Sequence, residues 1–318
     1  MSDLETIDVV LPFHRDDSFL SQAVRSVTNQ IGCKINLILV DDRKDDLELQ
    51  LEIPKNAKII KTNSVGYAAA LKSGLDECQS KFVAFQDSDD VSSPNRLSIQ
   101  LKKMIEEELD LVFCKMVAIN KNGRKSRIAR PTPHTAYSAI EALLVGSYGA
   151  DSTWLLKTDN LNGFFQFSYQ SLDWATALIK FPTMKVGRVE EALYLYRNHP
   201  NQMTSSADYF SKAFDEIYPL WSNVNNRVAL PPLSKEDAAT IAFPPSGRKW
   251  NSEVQSWSIA FLDQITNLDR DELKSFEAIL GQRVLQSIIG HGLTFEAIQT
   301  RKYIKSFFTY QTRIQPLG

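Results

Sequence analysis

Along the first 120 residues, apolar runs of strand length alternate with segments of helical period. Ile7 to Leu11 is one run; Phe19, Leu20, Ala23, Val24 and Val27 then share a helical face, and Ile35 to Val40 is the next run. The rhythm continues with a strand from Ala57 to Lys61, a helix from Gly66 to Cys78 through Tyr67, Leu71 and Leu75, and a strand from Lys81 to Gln86. Ser93 is the expected cap of a further helix, with Pro94 in its first turn and Leu97, Leu101, Met104, Ile105 and Leu109 on its apolar side. DLVFCKMVAI at 110–119 reads as a strand closed by the turn KNG at 121–123. Near-continuous apolar strands separated by helices predict an α/β fold, a Rossmann-like and mostly parallel sheet covered by helices on both faces.

After Pro131 and Pro133 the pattern loosens. A helix is expected near 136–144, a strand near 152–156, a helical segment in LDWATALIKF at 172–181 and a strand in ALYLYR at 192–197. Beyond about residue 205 the alternation stops, and PPLSKEDAATIAFPP at 231–245 separates off a helical tail. There, Val254, Trp257, Phe261, Leu262 and Ile265 form one stripe, and Leu273, Phe276, Leu280, Val284 and Ile288 form another. Residues 1–204 are therefore expected to form the α/β domain and residues 205–318 a small helical C-terminal appendage.

Composition adds limits. The 318 residues are 43% hydrophobic and 23% charged, enough for a sizeable core, while a net charge of −2 and a pI near 6.1 argue against nucleic acid as a partner. The widely spaced cysteines Cys33, Cys78 and Cys114 read as reduced thiols of a cytoplasmic protein. MSDLETIDVV has neither a basic nor a long apolar leader, and no apolar run is long enough to span a bilayer. RKYIKSFFTYQTR at 301–313 interleaves basic and aromatic residues. A docked terminal helix is the favoured reading, and peripheral contact with the inner face of a membrane is the other.

The chemistry lies where strands end. Asp41 and Asp42 follow INLILV, and Asp87, Asp89 and Asp90 follow FVAFQ, so two acidic clusters fall at the carboxyl ends of strands, where such sheets collect ligands. A solvated turn is the plain alternative, since Asp and Ser favour turns. An EF-hand counted from Asp87 fails, with Ser92 where glycine is needed and Ser98 where the bidentate glutamate belongs.

Four segments together resemble the family 2 inverting glycosyltransferases, nucleotide-sugar-dependent enzymes of the GT-A fold. They are LPFHRDDSFLSQAVRSVTNQ at 11–30, LVDD at 39–42, FQDSDDVSSPNRLSIQ at 85–100, and SLDWATALIK at 171–180 with LYRNHPNQMTSS at 195–206. The resemblance implies a donor-binding half over about residues 1–120 and an acceptor and catalytic half over about 121–204. It gives Asp89 as the ligand of a divalent Mn²⁺ or Mg²⁺ ion, with Asp87 and Ser88 at the ribose or beside the same ion. Pro12, His14 and Asp42 fall at the base, Arg197 and His199 near the diphosphate, and Asn63, Gly66 and Lys72 on the donor side. Asp173 matches the general base. Trp154 and Trp174 are candidate acceptor-side aromatics, with core packing the better expectation for either alone.

The implied reaction is transfer of a sugar from a nucleotide sugar, a UDP sugar for preference, to a saccharide or lipid-linked acceptor in surface-polysaccharide assembly. The sequence also departs from the family pattern. Arg43 and Lys44 follow the VDD where glycine and serine are usual, Lys72 replaces an asparagine, and Leu172 replaces an acid. The rival reading is a non-catalytic nucleotide-sugar-binding or scaffolding protein. Self-association into homo-oligomers is compatible with either.

Overall fold

The structure is a computed structural model that describes residues 4–45, 47–63, 65–125, 142–144, 150–161, 172–203, 209–242, 250–265 and individual positions between 273 and 305. The expected helix at 136–144, except for its last three residues, and the basic-aromatic segment at 301–313, except for isolated positions, lie outside the described residues, as does Ile288. No helix among the described residues is long and apolar enough to cross a membrane.

The chain divides into two compact units, one of residues 1–126, 149–173 and 183–205, the other of residues 127–148, 174–182 and 206–318. In the first unit, β1 (Thr6–Phe13), β2 (Lys34–Asp41), β3 (Ala57–Lys61), β4 (Phe82–Phe85), β5 (Val91–Ser92), β6 (Leu111–Asn120), β7 (Leu155–Lys157) and β8 (Val186–Asn198) form one sheet. Its order is β3-β2-β1-β4-β7-β6-β8-β5. β3, β2, β1 and β4 are parallel, as are β6 and β8; β7 runs antiparallel to both β4 and β6, and β5 antiparallel to β8. This is the expected mostly parallel α/β sheet.

Alternation along β1 explains the layers. Ile7, Val9, Leu11 and Phe13 join Leu20, Ala23, Val24 and Val27 of α1 (Ser18–Thr28) and Leu97, Leu101 and Met104 of α3 (Arg96–Glu106) in one core. Val10, and Val40 of β2, face the other way, toward α2 (Tyr67–Leu75), at Gly74. Asp17 starts α1 by accepting from the amides of Phe19 and Leu20 at 2.8 and 3.2 Å.

Three local expectations change. The helix expected to be capped by Ser93 starts instead at Arg96, because Ser93 is bound elsewhere. Its amide donates to Leu193 of β8 at 2.9 Å and its carbonyl accepts from Gln30 Nε2 at 2.7 Å, leaving Pro94 and Asn95 in a turn. Residues 151–153 are a 3₁₀ turn rather than strand, and β7 begins only at Leu155. β8 reaches back to Val186, farther than ALYLYR indicated, through a bulge opposite Cys114, Lys115 and Met116 that absorbs the polar Glu190 and Glu191. All three cysteines are free.

The second unit contains the second part of α4 (Leu172–Ile179), together with α5 (Tyr209–Arg227), α6 (Lys235–Ala242) and α7 (Ser252–Gln264). Its rings make a continuous column: Trp174 stacks on Phe214, then come Tyr218, Trp221, Trp257, Phe261 and Phe276, each 5.1–6.3 Å from the next. The indole N–H groups of Trp174 and Trp221 donate to the carbonyls of Ala142 and Leu143. Trp174 and Trp154, 3% and 1% exposed, are core residues.

Gly74 tests the contact between sheet and helix. A methyl group there would collide with Cγ1 of Val10 and lie 2.8 Å from Cγ2 of Val40. Gly74→Ala is expected to destabilise the protein by about 1–3 kcal/mol in urea unfolding, against the usual stabilising effect of Gly→Ala within a helix.

Candidate active site

At the carboxyl end of β4 the chain turns through Asp87, Ser88, Asp89 and Asp90. Two buried arginines hold this loop, and neither neutralises a carboxylate by a direct ion pair. Arg96, 1% exposed, donates to the carbonyls of Phe85 and Trp154 at 3.1 and 3.3 Å, to Ser92 Oγ at 2.8 Å and to Gln100 Oε1 at 3.0 Å, and its guanidinium lies 5.0 Å from the ring centre of Tyr194. Arg197 grips the loop from β8. Its amide donates to Asp90 Oδ1 and its Nε to the Asp89 carbonyl, both at 2.7 Å, while its other nitrogens reach Gln22 and the Lys121 carbonyl. Phe19 supports it, 4.6 Å below the guanidinium. The structure thus places Arg197 as a clamp on the acidic loop, with its donors committed to the protein.

Among the described residues no lysine or arginine side chain pairs with the carboxyls themselves. Burial, then Asp151 and Asp89, pushes Asp87 up to about 8. Burial, with Asp87 and Asp89 beside it, also raises Asp90 well above its ordinary value, against the opposing hydrogen bonds from the Arg197 amide and the Tyr194 hydroxyl. Asp89 is the accessible member, and its Oδ2 lies 2.9 Å from Nε2 of His199, whose ring rests against Phe19.

Asp151 was not legible as a site residue. It stands alone in the sequence, with no motif around it, yet the 3₁₀ turn brings it to the acids. Tyr67 at the start of α2 donates from its hydroxyl to Asp151 Oδ2 at 2.9 Å and lies 3.5 Å from Asp87 Oδ1. Burial, and then Asp173, raises Asp151 to about 7. Asp173 lies in the first turn of α4, where the helix dipole favours a carboxylate. Tyr194, also missed, accepts from the Asp87 amide at 3.1 Å and from Gln86 at 3.3 Å.

The donor-side residues sit across β1. Pro12 is buried in β1. His14 follows that strand, close enough to Asp89 and Asp42 to feel both charges, although partial burial and Arg15 hold its imidazole below the ordinary value. Asp42 accepts from Thr62 Oγ1, Val65 N and Gly66 N at 2.8, 2.7 and 2.9 Å, so it fixes the loop that enters α2. That loop needs left-handed backbone at Asn63, φ 57°, and at Gly66, φ 91°. Arg43 folds back on Asp41 through paired bonds of 2.9 Å. Lys72 makes an exposed pair with Asp76 one helical turn on, away from the acids in hydrogen bonding. Ser88 is half-buried in the acidic loop.

A sheet of this order with an acidic loop closing its central strand defines a glycosyltransferase of the GT-A type. The chain belongs to glycosyl transferase family 2, whose model matches residues 8–189, and it is a glycosyltransferase. It is 26% identical over 217 residues to the O-antigen biosynthesis glycosyltransferase WbnJ of Escherichia coli, an alignment covering 64% of this chain and 84% of that protein. It is 38% identical over 100 residues to the minor teichoic acid biosynthesis protein GgaA of Bacillus subtilis, covering 28% of this chain and 22% of that one. Among solved structures, S. aureus TarS 1–349 in complex with UDP-GlcNAc matches with a TM-score of 0.53 and 16% identity over 96% of this chain and 92% of that chain, a likeness of fold.

Raised carboxyls make stability depend on pH. Asp87 at about 8 and Asp151 at about 7 stand above the unfolded value of about 4, so between these limits the folded protein holds more protons than the unfolded chain. Stability of the metal-free protein is therefore expected to fall as pH rises from 5 to 8.5. Asp87→Asn is expected to flatten that slope and to add about 1–3 kcal/mol at pH 8.5. Urea unfolding across this range measures both, and a stability that climbs with pH would contradict the assignment.

Proposed function

We propose that the protein transfers a sugar from a nucleoside diphosphate sugar, a UDP sugar, to a saccharide or lipid-linked acceptor with inversion at the anomeric carbon. The observation that carries this reading is the acidic loop at the end of β4, clamped through its backbone by Arg96 and Arg197 and, among the described residues, paired with no lysine or arginine side chain. The names of the relatives, O-antigen and teichoic acid biosynthesis proteins, support a role in surface-polysaccharide assembly.

The residues fit a divalent ion shared with substrate. Among the described residues no three His, Cys, Asp or Glu side chains form a metal site by themselves. Mg²⁺ and Mn²⁺ bound beside phosphates need only one or two protein carboxylates, and hard oxygen donors suit them. Asp89, with Asp87, would hold the ion, whose chemistry there is to neutralise charge on the departing diphosphate. His199 orients the Asp89 carboxylate through its 2.9 Å contact. Pro12, His14, Asp42, Asn63 and Gly66 shape the nucleotide side, with Ser88 in the loop facing it. Asp173 takes the proton from the attacking acceptor hydroxyl as the bond to the sugar forms.

Asp89→Ala is expected to reduce Mn²⁺-dependent binding of UDP by at least tenfold in calorimetry. Asp173→Asn is expected to keep UDP binding and lose transfer by a factor of at least about 10². Turnover retained by the Asp173 variant would remove it as the base.

A further inference from the structure

β2 ends in Asp41, and one side chain ties down the residues that follow it. Arg43 is only 6% exposed, so its guanidinium works from inside the protein rather than from its surface. Its Nε and Nη2 donate to the two carboxylate oxygens of Asp41, both at 2.9 Å, and Nη2 also donates to the Leu47 carbonyl at 3.0 Å. Its Nη1 lies 3.4 Å from Asp45 Oδ1, and the guanidinium sits 6.0 Å from the centre of the Phe13 ring at the end of β1. Lys61, at the end of β3, donates to the Asp45 carbonyl at 2.6 Å. Arg43 thus fixes Asp41, Asp45 and Leu47 together. Glycine, usual at this position in the family, could offer only its amide.

What this network holds in place is Asp42, which lies between the two members of the pair. Its amide donates to the Phe13 carbonyl at 2.8 Å, next to Pro12 and His14. In its carboxylate, Oδ1 accepts from Thr62 Oγ1 and Val65 N, while Oδ2 accepts only from Gly66 N and keeps a further lone pair. With the backbone fixed on both sides, that lone pair has a fixed direction. A directed acceptor sorts planar bases by what they present at one position. The ring N3–H of uracil donates to it, whereas the bare N3 of cytosine, itself an acceptor, is repelled.

We propose that Arg43 is a positioning residue for the nucleotide base, acting through Asp42 to set the choice of uracil over cytosine. The assignment rests on the nucleotide-sugar reading of the site, in which Asp42 lies at the base. It goes beyond that reading by tracing base selectivity to a buried side chain that departs from the family pattern.

The test measures UDP and CDP binding by calorimetry in Mn²⁺, using the wild-type protein, Arg43→Ala and the double variant Asp41→Asn/Arg43→Ala. The wild type is expected to prefer UDP. Arg43→Ala is expected to weaken UDP about tenfold and CDP by less than about threefold, so that the preference collapses. Arg43→Ala alone leaves Asp41 buried without its partner and so loses stability. The double variant removes both charges and is expected to unfold in urea near the wild-type midpoint while showing the same lost preference, which separates lost recognition from lost folding. If Arg43→Ala does not fold, the double variant decides alone. A double variant that keeps the wild-type preference would overturn the assignment, because Arg43 would then only balance the charge of Asp41. Equal weakening of UDP and CDP, the mark of a generally loosened site, would overturn it too, as would a wild type that binds both alike. A wild type that binds neither nucleotide would remove the nucleotide-sugar reading itself, and the base contact with it.

Discussion

The structure depends on holding several carboxyls at the end of one buried strand with, among the described residues, no lysine or arginine side chain paired to them. Moving an ionised carboxylate out of water costs several kcal/mol, and like charges nearby add to that cost. The chain meets it by gripping backbone rather than charge. Arg96 and Arg197 bind the carbonyls of Phe85, Trp154 and Asp89, so the positive charges hold the loop's path without pairing with the acid oxygens. Direct ion pairs with Asp87 or Asp89 would have neutralised the groups proposed to hold a diphosphate-bound ion. The arrangement is therefore less stable than a neutral one, and better prepared for a cationic ligand.

That loop is reached from several directions, which explains the sheet's mixed form. β1 and β2 bring His14 and Asp42 to one side through parallel crossovers, each helix returning the chain so that strand ends meet at the same edge. β7 and β8 arrive from later in sequence, one antiparallel to β4 and the other pairing with the two residues of β5. Those late strands carry the 3₁₀ turn of Asp151, the buried Tyr194 and the clamp of Arg197 with His199. The first half of the unit thus supplies Asp87, Asp89 and Asp90 with the Arg96 anchor, and the second half adds Asp151 and the Arg197 clamp. Asp42 shows the same economy, since its carboxylate shapes the Thr62–Gly66 loop that sets Tyr67 above Asp87.

Much of this was legible in the sequence where structure is local. Apolar runs from Ile7, Ile35, Phe82 and Leu111 became strands because burial on both faces leaves few other options for such segments. The DSDD stretch stood out because acids after an apolar strand must sit at a sheet edge. What escaped was set by distant contacts. Ser93 and Pro94 have the form of a helix start, yet the backbone of Ser93 pairs with β8, a hundred residues away in the chain by about that measure, and Gln30 takes its carbonyl. Arg96 carries no signal in the sequence, while the fold buries it completely. Asp151 carries no local signature at all; only the return of β7 beside β4 brings it to Tyr67. Lys72 and Arg43, departures from the family pattern, turned out to be paired with Asp76 and Asp41.

The central claim is that the acidic loop is completed by a divalent cation that the nucleotide shares. Anomalous diffraction from crystals grown with Mn²⁺ and UDP tests it most directly. The account predicts one manganese peak bonded to the Asp89 carboxylate and to diphosphate oxygens, with Arg96 and Arg197 still on their backbone partners. UDP bound with no manganese at Asp89, or an Arg197 guanidinium swung out to meet the diphosphate in its place, would contradict it.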